Sequence, residues 1–110
     1  GIIMLVALAL MGCSNSNPTI TGTYEYTHGD EKTRYIFDRN GTYSVLWLDN
    51  NGAVTDTGTY EYIDGSIFAI YSYDYGNILM VKKGNHFFFT NDMVAAKNIE
   101  KSDMTKYKRK

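Results

Sequence analysis

The chain holds one cysteine, one proline and two histidines in 110 residues. A single thiol forms no internal disulfide, which excludes a disulfide framework. Long hydrophobic runs are lacking too: the uncharged apolar stretch from Ile2 to Met11 has ten residues, half of the roughly 20 that a spanning helix needs. Eleven Lys and Arg oppose twelve Asp and Glu for a net charge of -1, without the basic excess of a nucleic-acid binder. No Gly-x-Ser-x-Gly element, phosphate-binding loop or dinucleotide fingerprint occurs. Neither His28 nor His86 has a His, Cys or Asp at metal-ligand spacing, so no metal site, cofactor or histidine general base is expected. What remains is one folded domain: the length leaves no residues for a second core, and 44% hydrophobic with 21% charged residues fits neither a disordered tail nor a multi-spanning membrane protein.

Aromatics are abundant instead, with ten Tyr, five Phe and one Trp. Beyond residue 20, apolar and aromatic residues alternate with polar ones at period two, and turn residues interrupt every eight to twelve positions, the pattern of an all-β chain. Strands are expected at Thr21–Thr27, Lys32–Phe37, Thr42–Leu48, Val54–Ile63, Ser66–Ser72, Asn77–Lys82 and His86–Thr90. Asn40-Gly41, Asn51-Gly52, Asp64-Gly65 and Gly84-Asn85 supply tight turns between them. Such short connections make an antiparallel meander. Asp92 is a candidate N-cap for a short helix over Met93 to Lys97, and Thr105 to Arg109 for a closing strand with Tyr107 inward.

The hexapeptide TGTYEY occurs at residues 21 to 26 and again at 57 to 62, and Gly-Thr-Tyr recurs at 41 to 43. The intervening sequences do not match, so this reads as one strand-entry device used repeatedly, with Gly supplying a bend and Tyr an inward ring. Tyr24, Tyr26, Tyr35, Phe37, Tyr43, Trp47, Tyr60 and Tyr62 then share one face of the first four strands. If that face is interior, their hydroxyls need partners. Glu25 and Glu61, the matched acids of the two copies, alternate to the opposite face and are expected in solvent, not as a glycosidase pair.

Leu10, Met11, Gly12 and Cys13 end the apolar run and precede a Ser/Asn stretch. They resemble the lipobox of bacterial lipoproteins. The resemblance implies a signal peptide over residues 1–12, cleavage before Cys13, a diacylglyceryl thioether on its sulfur and usually an acylated new amino terminus, leaving 110 - 12 = 98 residues. Residues 13–20 would form the lipidated tether. With two or three acyl chains the anchor is stable, the membrane becomes a partner, and no thiol remains for redox chemistry. No Lys or Arg precedes Ile2, so the basic n-region is missing and a start upstream of Gly1 is expected.

The body, residues 21–110, resembles the small lipocalin-like domains of exported bacterial proteins. Gly22-Thr23-Tyr24, the run Tyr35 to Tyr43, the run Gly58 to Gly65 and the basic ending Tyr107-Lys108-Arg109 carry the likeness. It implies an up-and-down antiparallel barrel of about seven or eight strands, without assigned catalysis; a monomer is expected. Its tyrosine-lined interior is the candidate site for a small hydrophobic or aromatic ligand. The alternatives are a solid aromatic core, with the outer face meeting another envelope protein, and an exposed aromatic platform for sugar or peptide. Charge is polarised as well: residues 25–74 carry 9 acids and 3 bases, and residues 75–110 carry 8 bases and 3 acids. Lys97, Lys101, Lys106, Lys108, Arg109 and Lys110 therefore suit either anionic headgroups or the protection of an edge strand.

Overall fold

A computed structural model describes residues 20–110; the segment expected to be a signal peptide, the lipobox-like Leu10 to Cys13 and residues 14–19 lie outside the described residues. Seven strands follow one another as an antiparallel meander: β1 Gly22–His28, β2 Glu31–Phe37, β3 Thr42–Asp49, β4 Gly52–Asp64, β5 Ile67–Ser72, β6 Gly76–Lys83 and β7 His86–Thr90. All seven expected strands are present, with bounds moved by a residue or two. The short helix α1, Met93–Asn98, begins at Asp92, whose side chain accepts from the Val94 amide at 2.9 Å. Two residues of β8, Thr105–Lys106, pair with β7, and two of β9, Lys108–Arg109, pair with β1.

The last segment therefore bridges the two edges of the meander and makes a nearly closed barrel. Tyr107 stands between β8 and β9, its amide donating to the Asn85 carbonyl at 2.7 Å and its ring turned inward. Alternation explains the interior. Tyr24, Tyr35, Phe37, Tyr43, Val45, Phe68, Ile70, Met80, Phe87 and Tyr107 form one buried cluster, with Tyr26, Trp47, Tyr60 and Tyr62 packed against it. All eight aromatic residues read onto one face thus face inward. Burying each large side chain stabilises the fold by about 1.5 to 3 kcal/mol. Rings meet at angles and offsets that suit their quadrupoles, such as Phe37 edge-on to Tyr60 at 5.2 Å. Ile20 joins this cluster beside the start of β1 and fills that end of the barrel.

A second, smaller cluster lies on the outer face. Ile67 and Val81, neighbours across β5 and β6, are covered by Ala96 of α1 and by Met104. A six-residue helix is not stable by itself; this apolar patch holds it.

Two expectations change. Glu25 is on the outer face but only 8% exposed, because the guanidinium of Arg34 and the ammonium of Lys110, at 3.4 Å, lie over its carboxylate. Desolvation raises its pKa, yet the opposing hydrogen bond and charge of Arg34, then those of Lys110, hold it below the usual carboxylate range. Glu61 is exposed as expected and accepts from the Tyr71 hydroxyl.

The two TGTYEY copies also differ in use. Gly22 opens β1 with φ +138°. Gly58 sits in mid-strand, where β4 leaves β3, its partner up to Thr59, and takes up β5. A Cβ there would lie 2.0 Å from the Tyr71 carbonyl oxygen. The first glycine serves backbone conformation and the second serves close approach.

Candidate functional site

The most deeply buried rings, Tyr24 and Phe37, lie toward one end of the barrel, and an aromatic-lined cavity opens at the other. Around Ile20 the interior is packed. At the opposite end, where the β3–β4 and β5–β6 turns and the exit of β7 meet, there is an open-mouthed cavity of about 610 Å³. Aromatic and aliphatic side chains make up most of its lining. Tyr35, Tyr43, Val45, Ile70 and Phe89 line it, and Trp47 meets the exposed Tyr75 edge-on at 5.7 Å near the mouth.

The eight aromatic candidates separate by depth. Tyr35, Tyr43 and Trp47 line the cavity. Tyr24 and Phe37 belong to the packed core, 2% and 1% exposed. Tyr60 and Tyr62 border a second recess, of about 510 Å³, at the Ile20 end, where the Tyr60 hydroxyl donates to the Asp38 carbonyl at 2.5 Å. Tyr26 stands at the seam, its ring 5.5 Å from Tyr107. The seam also holds a polar groove lined by Lys32, Lys106, Lys108, Arg109 and Lys110. Much of the basic C-terminal cluster is therefore gathered on one side of the barrel.

Sequence reasoning missed Asp56. This residue of β4 pairs with Val45 and forms part of the cavity wall, only 3% exposed. Its Oδ2 accepts from Ser72 Oγ at 2.6 Å and from the Tyr43 hydroxyl at 3.2 Å. Its Oδ1 is buried without a hydrogen-bond partner among the described residues. The signal was available: period two, carried back from Tyr62 through Tyr60 and Gly58, places Asp56 on the inward face. The same register sets Tyr43 beside the acid. Burial first, then the charge of Asp56 and its hydrogen bond, push the Tyr43 phenol up to about 12, so it remains a neutral donor at physiological pH. Burial likewise raises Tyr35, with smaller contributions from Tyr107, Tyr43 and Asp56.

Chemically, this arrangement can enclose an apolar body against aromatic faces and present one acidic group to it. The polar groups converging on the acid are two hydroxyls, and the histidines are elsewhere: His28 stacks on Tyr26 at the end of β1, and His86 opens β7. Compared with known proteins, the chain matches no family model, no curated protein and no solved structure.

Proposed function

We propose that the chain is a lipid-anchored, extracytoplasmic lipoprotein whose barrel binds a small ligand, as a binding protein and not as an enzyme. The observation that carries the binding role is the aromatic cavity of about 610 Å³, within the range of small-molecule sites and built as they are, mostly apolar with few polar groups. It supports a carrier over a solid-core interaction protein. The sequence Leu10 to Cys13 supports the anchor. Polarity of the barrel fits both: the chain enters beside Ile20, seven residues after Cys13, and the cavity opens at the other end. Seven residues reach at most about 25 Å, and an anchor attached there leaves the mouth at the end of the barrel opposite the tether. The basic seam adds attraction to anionic headgroups at about 1 kcal/mol per residue near the surface.

Intact mass measurement of the chain tests both halves, after expression in a bacterial envelope with a start Met and basic n-region supplied. A chain beginning at Cys13 should carry acyl mass that survives denaturation, together with a second surplus that denaturation releases. An unacylated chain refutes the anchor. Absence of any releasable mass across several hosts and lipid backgrounds refutes the carrier.

A further inference from the structure

We infer that the ligand is an organic cation, an amine on an apolar body, whose ammonium group donates to Asp56. This deepens the carrier reading and rests on it. Three observations at the cavity wall lead there. The first is the burial of a carboxylate. A carboxylate that is 3% exposed has lost most of its hydration, a cost that charge or hydrogen bonds must offset. Two neutral hydroxyls, from Tyr43 and Ser72, serve one oxygen. The other oxygen has no partner, and both ion pairs among the described residues belong to Glu25 on the outer face. A carboxylate offers about four acceptor positions, so Asp56 brings unused acceptor capacity to the cavity lining, on an oxygen with less than 1 Å² of exposed surface and no cation paired to it among the described residues.

The second observation is the character of the surrounding rings. Tyr35, Tyr43, Trp47 and Phe89 border the same cavity, and aromatic faces attract cations, Trp most strongly. A cation beside Asp56 is thus favoured by the acid and by the rings together. An anionic ligand meets repulsion from both. A neutral ligand leaves Oδ1 of Asp56 with at best a weaker partner.

Third, the donors already present hold Asp56 in place without competing for the free oxygen. Ser72 Oγ is itself fixed, accepting from the Asp74 and Tyr75 amides at 3.2 and 2.9 Å, so its own hydrogen is committed to Oδ2 of Asp56. The acid is oriented by β3 and β5 before a ligand arrives, which lowers the ordering cost of binding.

Trp47 gives the test a built-in reporter, because it is the only tryptophan and stands at the cavity mouth. The full chain, in phosphatidylcholine nanodiscs, is titrated with phenylbutylamine, phenylbutanol and phenylbutyrate while Trp47 fluorescence is followed. The amine should bind at least about tenfold more tightly than the alcohol, with the acid weakest. In Asp56→Asn the advantage of the amine should vanish, while the alcohol changes by no more than about twofold. An alcohol that binds as well as the amine, or an amine preference that survives Asp56→Asn, overturns the cationic ligand and leaves the carrier standing. No response to any of the three overturns both. Should Asp56→Asn fail to fold, the ranking in the unaltered chain decides by itself.

Discussion

Replacing Gly58 by alanine is expected to destabilise the barrel by about 3 kcal/mol or more, which for a domain of this size lowers the melting temperature by roughly 15 °C. The added methyl carbon would stand 2.0 Å from the Tyr71 carbonyl oxygen and 2.9 Å from the Tyr43 ring. The nearer obstacle is backbone of β5, held in the ladder by the Thr59–Tyr71 and Tyr71–Asn77 pairs, and no rotamer change removes it. The other obstacle is the ring that donates to Asp56. The strain therefore reaches both the β4–β5 junction and the cavity. Thr59→Ala, at an exposed neighbouring position, should stay within about 0.5 kcal/mol of the parent. Thermal and urea unfolding followed by circular dichroism measure both variants. A Gly58→Ala protein that melts within a few degrees of the parent would mean that β4 and β5 are not in such close contact.

Loss of the Tyr107 ring has an effect of similar size. With two residues each, β8 and β9 contribute few hydrogen bonds, and Tyr107 is the side chain of this segment that enters the main core. It packs 4.7 Å from Phe87, 5.5 Å from Tyr26 and 6.2 Å from Tyr35, so it joins the two edges of the meander through the interior. Tyr107→Ala should cost about 3 to 5 kcal/mol, the range for a buried aromatic truncated to alanine. Amide exchange at Glu25 and Phe87, the positions paired to the closing segment, should accelerate with it. Tyr107→Phe keeps the packing and removes a hydroxyl whose ionisation burial, then the neighbouring Tyr26, has moved to about 12. It should stay within about 1 kcal/mol of the parent. Equal losses in the two variants would show that the hydroxyl, and not the ring, secures the seam.

Much of this architecture was legible because strand alternation is local information. The inward placement of Tyr24, Tyr35, Phe37 and Tyr43, the turns at Asn-Gly and Asp-Gly, the Asp92 cap and the inward Tyr107 all follow from neighbours a few positions apart. Depth along the barrel axis does not. Period two separates inside from outside but says nothing of which inward ring meets packed core and which meets a cavity. That depends on register between strands, such as Tyr43 opposite Gly58 and Val45 opposite Asp56. Period two alone sets Asp56 on the inward face, but its donors Tyr43 and Ser72 become apparent only where β3 and β5 stand beside it. Alternation alone sets Glu25 in solvent, because its cover comes from Arg34 on the next strand and from Lys110 at the far end of the chain. The two copies of TGTYEY look alike in sequence, yet only pairing with β5 distinguishes the tightly enclosed Gly58 from Gly22.

The cavity at the open end of the barrel should admit a small apolar molecule. The body from Ser14 to Lys110 should take up a neutral solvatochromic dye such as Nile red, shifting the dye to shorter wavelengths and quenching Trp47. Ile78 lines the cavity at half-buried exposure, and Ile78→Trp should occupy much of the 610 Å³ space. That variant should lose dye uptake by about tenfold or more and melt no lower than the parent. Dye uptake equal in the parent and in a folded Ile78→Trp protein, or no uptake by the parent at all, would contradict the account.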